Sequence, residues 1–300
     1  MATTTQVVEA KTRVAVPCHA CLSTENDTYL QARGYRIAQC RNCGLWFVSP
    51  QPSAEELRQY YATYDSGDLW RDMEEGFNRS VRKTILERKQ SGQVLDVGCG
   101  SGNFLRCMKE KGFSVLGIEP SVSGSEYARD ALQVEIFHGM INDFLKLNSD
   151  RKFDVITLLN VLEHLTNPVE TMEQLGHALA PDGIVAIVVP DARFHDIVGR
   201  ARKIFGIADP YWLENAPFLS GFRVPDHLCS FQPRTISALL RRAGYKVIKL
   251  QNAPVVFNPP FYRDAAKWFV FTMSQALYYA TFGRVLVGYS TLVLAQRSSK

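Results

Sequence analysis

The sequence lacks a charge excess of either sign. Its 34 lysines and arginines against 30 aspartates and glutamates leave a formal net charge of only +4, and the basic residues are dispersed along the chain. Nucleic-acid binders normally concentrate positive charge on one surface, so composition gives no reason to expect nucleic acid as a partner. The content of 46% hydrophobic and 21% charged residues also excludes a disordered chain, a collagen and a coiled coil.

Long apolar runs are missing as well. Residues 1–15 contain no apolar run of seven or more, so no secretory signal is predicted and a cytoplasmic location is expected. The uncharged stretch 268–283 is shorter than the ~20 residues of a membrane-spanning helix. The apolar helix predicted over 264–282 is therefore expected either to pack in the core, to touch a membrane surface peripherally or to form a dimer contact, and the oligomeric state stays open.

Four of the seven cysteines form two close pairs. Cys18 and Cys21 are followed, after eighteen residues, by Cys40 and Cys43, and this spacing is typical of four-thiolate zinc sites. Four protein ligands leave no position open for water, so the zinc ion (Zn²⁺) is expected to be structural. The spacing predicts a zinc ribbon over 16–50 with a short hairpin between the knuckles, and His19 is expected to be a solvated loop residue.

The rest of the chain divides into a tail, a linker and a large module. Residues 1–15 form the tail, and 51–90 are predicted to be a helical linker or lid, with helices at 55–64 and 77–89. These two helices either cover a cofactor pocket or form a structural collar. Residues 91–300 form the large module.

The large module alternates strands and helices. Short apolar runs at 94–97, 114–118, 153–158 and 184–189 are separated by helical stretches, which predicts an α/β fold with a mainly parallel sheet and helices on both faces. In such sheets ligands bind at the carboxyl ends of the strands, where the strand order reverses.

A glycine-rich loop follows the first of these strands. Gly98, Gly100 and Gly102 allow a tight turn and a close approach of the backbone to a ligand. Asp96, two residues before the first glycine, would repel a pyrophosphate but suits a cationic amino-acid group. Glu119, at the end of the second strand, is placed to accept hydrogen bonds from both hydroxyls of a ribose.

Together these motifs resemble the class I S-adenosylmethionine-dependent methyltransferases over roughly residues 92–250. Within that class the chain looks most like the ubiquinone and menaquinone methyltransferase type, in the branch with an N-terminal zinc ribbon. The resemblance implies a Rossmann-like sheet, S-adenosylmethionine as methyl donor, and a small-molecule acceptor such as a sugar, a glycan precursor or a secondary metabolite. It assigns donor binding to Asp96, Gly98, Cys99, Gly100, Gly102, Glu119, Pro120, Met140, Ile141 and Asn160.

Two histidines are the candidate catalytic groups. The resemblance places His164 and His227 beside the donor pocket, where each either accepts a proton from the acceptor or has a packing or capping role. Some relatives bind a divalent ion through a Glu-x-x-Glu-His run and a later histidine. Here Glu163, His164 and His227 match that pattern, but Asn160 stands at its first position, and a neutral amide is a poorer ligand for a hard cation than a carboxylate.

Several alternatives remain at this point. Asn142 and Asp143 either contact the adenine amine or cap a helix. In the insertion 191–226, the aromatic residues either form a lid over a sugar or complete the core. The arginines of the same segment either contact a phosphate of the acceptor or lie on a solvated helix face. The competing functions are an RNA methyltransferase that uses the ribbon for RNA binding, and a donor-binding protein without catalytic activity.

Overall fold

The computed structural model describes residues 13–32, 34–62, 75–194, 204, 226–253, 272–274, 276–277, 280–281 and 288–298. Most of the predicted insertion 191–226 and most of the predicted helix 264–282 lie outside these residues. Within the described ranges, no helix combines the length and the apolar character that crossing a bilayer requires.

Eleven strands and seven helices in the described residues form the fold. The strands are β1 (Asn26–Ala32), β2 (Tyr35–Cys40), β3 (Trp46–Val48), β4 (Gln93–Val97), β5 (Ser114–Glu119), β6 (Glu135–His138), β7 (Phe153–Leu159), β8 (Leu179–Pro190), β9 (Cys229–Ser230), β10 (Tyr245–Asn252) and β11 (Ser290–Arg297). The helices are α1 (Ala54–Ala62), α2 (Glu75–Leu86), α3 (Asn103–Lys109), α4 (Val122–Leu132), α5 (Ile141–Leu147), α6 (Pro168–Ala178) and α7 (Pro233–Arg242). A single 3₁₀ turn covers Leu162–His164.

The large sheet is the predicted Rossmann-like sheet. Its order is β10-β11-β8-β7-β4-β5-β6, with parallel pairing from β8 to β6 and antiparallel pairing of β11 with β8 and β10. The segment 184–189 of β8 is fully buried because helices cover both faces of the sheet, which explains its uninterrupted apolar sequence. The chain leaves β4 toward β5 and β6 and returns to β7 on the other side of β4, so the strand order reverses between β4 and β7.

The small sheet has the order β1-β2-β3-β9. The β1–β2 hairpin turns at Gly34, whose φ of 75° is easily adopted by glycine, and it confirms the predicted hairpin. The fourth strand, β9, belongs to the large module, more than 180 residues after β3 in the chain, and pairs with β3 through Phe47 and Cys229. One buried apolar cluster contains Phe47 of the ribbon together with Leu95 of β4 and Ile236 of α7. The ribbon and the large sheet therefore share a core.

Candidate functional site

The four ribbon cysteines converge on one point. Their Sγ atoms all lie within 4.8 Å of one another, with Cys18 3.4 Å from Cys43 and Cys21 3.5 Å from Cys40, and none is in a disulfide. Tetrahedral zinc with Zn–S bonds of about 2.3 Å needs sulfurs about 3.8 Å apart, so the four side chains fit the ion. The hydrogen bond from the Cys18 thiol lowers the pKa of Cys43 to about 5, and the same hydrogen bond raises the pKa of Cys18, so Cys43 is the thiolate of this pair.

His19 is buried, so the expectation of a solvated loop residue was wrong. The side chain is 9% exposed and its ring lies edge-on to Phe47 at 5.9 Å. Gln51 Nε2 donates to His19 Nε2 at 2.8 Å and also lies 3.4 Å from the carbonyl oxygen of Thr166. Burial lowers the pKa of His19 to about 4, so the ring is neutral at pH 7. The physical reason is that the first knuckle packs against the large module instead of facing solvent.

Asp96 lies at the carboxyl end of β4, next to the point where the strand order reverses. It is 3% exposed, and Thr157 of β7 donates to its Oδ1 at 2.5 Å. A bond this short is typical of a hydroxyl that donates to an ionised carboxylate. The neighbouring strand therefore fixes the orientation of the Asp96 carboxylate.

The glycine loop packs against the segment that follows β7. Gly98 has a φ of 67°, and a Cβ on it would lie 2.6 Å from Val161 Cγ2, so a side chain is excluded at this position. Gly100 also has a positive φ, of 53°, but nothing within 4 Å of its Cβ position. The loop therefore touches protein at Gly98 and leaves open space at Gly100.

Glu119 joins the end of β5 to the glycine loop. Gly100 N donates to its Oε2 and Ser121 N to its Oε1, each at 2.8 Å. Burial raises the pKa of the Glu119 carboxyl, while these two backbone donors oppose the shift. Each carboxylate oxygen keeps a second lone pair for another donor. Burial and the charges of Asp96 and Glu119 raise the pKa of the Cys99 thiol.

The other predicted donor residues lie at neighbouring strand ends. Met140 precedes α5 with 47% of its surface exposed, whereas Ile141 is 7% exposed. Pro120 directly follows β5, and its carbonyl oxygen is 3.2 Å from His138 Nε2. Asn160 directly follows β7 in a left-handed conformation with φ 56°. Asn142 and Asp143 are exposed in the first turn of α5, where a contact with a ligand and a helix-end role are both compatible with their positions.

The two candidate catalytic histidines are neighbours. The ring centroids of His164 and His227 are 4.8 Å apart at an interplanar angle of 81°. His164 Nδ1 is 2.9 Å from the carbonyl oxygen of Asp226, and a carbonyl can only accept, so Nδ1 carries the proton of this hydrogen bond. His164 Nε2 is therefore the ring nitrogen that can accept a proton from another group.

Glu163 completes a group of three possible ligands. One ligand atom from each of Glu163, His164 and His227 lies within 4.8 Å of the others. The Glu163 side chain is 1% exposed, whereas Asn160, at the first position of the pattern, is exposed. Three of the four positions of the divalent-ion pattern therefore converge.

The sequence analysis missed three supporting residues. Thr157, which holds Asp96, is a polar residue within the apolar, fully buried stretch 155–158 of β7, and that contrast was the available signal. Asp191 directly follows β8, is 1% exposed, and accepts from the backbone N–H groups of Arg193 and Phe194. A carboxylate directly after a strand was the same signal that identified Glu119. Gln51 carried no local signal, since its partners are distant in sequence.

Comparisons with known proteins agree with this fold. The model of the methyltransferase domain family matches residues 69–250, more than half of the chain. The ubiquinone biosynthesis O-methyltransferase of Actinobacillus pleuropneumoniae serotype 5b (strain L20) is 32% identical over 117 residues, which cover 35% of this chain and 50% of that protein. The protein of the same name from Azoarcus sp. (strain BH72) is 27% identical over 56% of this chain and 69% of its own length. This chain thus spans about half the length of the first curated relatives it matches.

A solved structure extends the likeness over nearly the whole chain. The Burkholderia thailandensis 1,6-didemethyltoxoflavin-N1-methyltransferase, solved with 1,6-didemethyltoxoflavin and S-adenosylhomocysteine, superposes with a TM-score of 0.55 at 17% identity. The match covers 92% of this chain and all of the other. At this identity the superposition bears on the fold. With the family match over residues 69–250, it leads to one conclusion: this chain belongs to the methyltransferase domain family.

Proposed function

We propose that the chain is an S-adenosylmethionine-dependent methyltransferase whose acceptor is a small molecule: a sugar, a glycan precursor or a secondary metabolite. The observation that carries the proposal is the placement of Asp96 and Glu119 on adjacent parallel strands, joined by the glycine loop. Two buried carboxylates flank an open backbone turn at the edge of the sheet where ligands bind in this fold.

Each residue of the donor pocket is proposed to contact a different part of S-adenosylmethionine. Asp96 faces the cationic amino group of the methionine end, and the backbone of 98–102 approaches its carboxylate. Glu119 keeps lone pairs for the two ribose hydroxyls while Gly100 and Ser121 hold it in place. Met140 and Ile141 supply apolar surface for the adenine, and Cys99, Pro120 and Asn160 complete the wall of the pocket.

The acceptor is activated by one of the two histidines. S-adenosylmethionine supplies an electrophilic methyl group on a sulfonium. The acceptor atom forms a bond to the methyl carbon, the C–S bond breaks with its electron pair going to sulfur, and the acceptor proton passes to His227 or to His164 Nε2. The contact of His164 Nδ1 with the Asp226 carbonyl fixes the ring for this role. Asn142 or Asp143 is an additional candidate contact for the adenine amine.

The zinc ion is proposed to be structural. Cys18, Cys21, Cys40 and Cys43 supply four thiolates, so the metal has no open position for water or substrate. Whether a second divalent ion binds at Glu163, His164 and His227 is tested separately, by adding magnesium to the chelated protein and measuring the methyl-transfer rate. A rate that depends on magnesium would indicate an ion at these three residues, because the four-thiolate site has no open position.

The charges of the ribbon favour a small molecule over RNA. In the described part of the ribbon, Arg41 pairs with Asp27 at 2.5 Å, and Arg36 donates to Asn26 and Thr28. Arg13, in the tail before the ribbon, pairs with Glu56 of α1 at 3.0 Å. Arg41 and Arg13, each paired with a carboxylate of its own chain, contribute little to the concentrated positive field that holds a phosphate backbone.

The test is the transfer of radiolabelled methyl from S-adenosylmethionine into separated small-molecule, glycolipid and RNA fractions of a source-cell extract. Label in a small-molecule or glycolipid fraction that is lost with Asp96→Ala supports the proposal. Label in RNA would overturn the acceptor class and make the ribbon an RNA anchor. A chain that binds S-adenosylhomocysteine but labels none of the fractions would be a donor-binding protein without this activity.

A further inference from the structure

The second knuckle of the ribbon leads directly to the segment that carries His227. Gly44 N donates to the carbonyl of Cys40, and β3 begins two residues later. Val48 N then donates to the carbonyl of Leu228 at 2.8 Å, and Leu228 N donates to the carbonyl of Glu163 at 2.7 Å. Leu228, the residue after His227, is therefore hydrogen-bonded to the ribbon on one side and to the His164 turn on the other.

The first knuckle has its own connection to the same region. His19 lies inside that knuckle and accepts from Gln51, whose amide nitrogen is 3.4 Å from the Thr166 carbonyl. Thr166 is two residues beyond His164. Each knuckle is thus connected, the first through Gln51 and the second through β3, to backbone near one of the two histidines.

The donor residues are held in a different way. Asp96 is fixed by Thr157, and Glu119 by Gly100 and Ser121, all of which belong to the large sheet and its loops. The ribbon contacts reach the loops after β7 and before β9, whereas Asp96 and Glu119 lie at the ends of β4 and β5. Asn160 is the assigned donor residue that shares the loop after β7. Loosening the ribbon is therefore expected to affect the two sides of the site unequally.

We infer that the zinc ribbon is the positioning element for His164 and His227, so that zinc sets the geometry of the acceptor side of the site and leaves the contacts that hold Asp96 and Glu119 unchanged. The inference rests on the proposed function for its catalytic meaning, but not for its structural content. Zinc holds the two knuckles together, β3 transmits the position of the second knuckle to Leu228, and Gln51 transmits that of the first to Thr166.

The first experiment compares hydrogen exchange of the full chain with zinc bound and after removal of zinc by a thiol-reactive mercurial and a chelator. Without zinc, the amides of peptides covering 162–167 and 226–232 are expected to exchange at least about tenfold faster, while those covering 94–104 and 116–121 are protected as before. Calorimetric affinity for S-adenosylhomocysteine should stay within about twofold. Unchanged exchange at 226–232, when ribbon peptides exchange faster, would overturn the inference.

A pair of glutamine variants with zinc bound keeps the test decisive if the zinc-free chain unfolds. Gln51→Leu removes the amide that joins His19 to Thr166, and faster exchange at 162–167 is expected, with changed ¹⁵N imidazole shifts for His164 and His227. Gln174→Leu is the matched control, because the Gln174 amide donates to Glu170 within the same helix, α6, and this bond does not join the ribbon to the histidines. Equal behaviour of the two variants would refute the positioning role.

The same samples separate this inference from the proposed function. If the zinc-bound wild-type chain neither binds S-adenosylhomocysteine nor transfers methyl, the proposed function fails, and the exchange and imidazole data still decide whether the ribbon positions the histidines. If transfer is measurable, Gln51→Leu should lower kcat by about tenfold with the KM for the donor unchanged, whereas Gln174→Leu should change neither.

Discussion

Replacement of Thr157 by valine tests the arrangement of the donor site most directly. Valine keeps the β-branched shape that suits the interior of β7 and removes only the hydroxyl that donates to Asp96 Oδ1 at 2.5 Å. Thr157 is fully buried and Asp96 is 3% exposed, so little water can replace the lost donor. A hydrogen bond to a charged group contributes about 1.5–3 kcal/mol, and we expect the free energy of unfolding to fall by about 2 kcal/mol.

The loss should appear in two measurements. For a chain of 300 residues, about 2 kcal/mol lowers the Tm in a thermal melt by about 3 °C. Because the Asp96 carboxylate also loses its fixed orientation, the Kd for S-adenosylhomocysteine should rise about tenfold, which corresponds to ~1.4 kcal/mol. Thr157→Ser keeps the hydroxyl and loses one methyl group, so it should cost about 1 kcal/mol of stability and leave the Kd near the wild-type value.

Thr291→Val is the matched control in another strand. Thr291 is 1% exposed and its hydroxyl lies 3.4 Å from Asp191 Oδ2, but two backbone N–H groups also donate to Asp191. The same substitution there should lower the Tm less and leave the donor Kd unchanged. An unchanged donor Kd in Thr157→Val, or an equal rise in both variants, would refute the argument that Thr157 orients Asp96 for the donor.

Three further predictions address the remaining parts of the site. The pKa of Glu119 is raised above its ordinary 4.5 by burial, and donor binding needs the ionised form, so as the pH is lowered wild-type affinity should fall at a higher pH than an ordinary glutamate would give. Glu119→Gln should bind weakly with a flat pH profile, and a wild-type slope that persists in this variant would contradict the assignment. Gly98→Ala should lower the Tm and weaken donor binding, because the φ of Gly98 is 67° and a Cβ there would lie 2.6 Å from Val161. Adding Val161→Ala should recover part of the lost Tm and donor affinity, and no recovery would mean that backbone strain alone is responsible. His227→Ala should reduce methyl transfer by about 10²–10⁴-fold with the Kd for S-adenosylhomocysteine within about twofold, and a rate close to wild type would exclude His227 as the proton acceptor.

The parts of the fold that depend on short-range pattern were predictable. Uninterrupted apolar runs such as 184–189 identified strands buried on both faces, and the glycines after β4 identified a loop with positive φ angles. Four cysteines at a fixed spacing predicted a cluster, and their Sγ atoms converge. In each case the information lies within a few residues or in a spacing that only one geometry satisfies.

The contacts between distant segments were not predictable. Nothing in the sequence of β9, two residues long, indicates that it pairs with β3, and the burial of His19 follows from that docking and from Gln51. Thr157 and Asp191 gain their roles from neighbouring strands and loops, so their partners are known only once the sheet order is known. The roles of Asp96, Glu119, His164 and His227 stay predictions, to be decided by the variants above.

The pairing of Phe47 with Cys229 also has a consequence for biosynthesis. The ribbon leaves the ribosome before β9 does, so the edge of its sheet at β3 stays uncovered until the chain has been synthesised past residue 230. An uncovered edge strand is a template for pairing with other chains, and the closing contact spans most of the polypeptide, which slows its formation. Zinc bound early by the two knuckles would hold that edge in its native conformation while the chain is unfinished. Scarcity of zinc during synthesis should therefore lower the yield of folded protein more than removal of zinc afterwards.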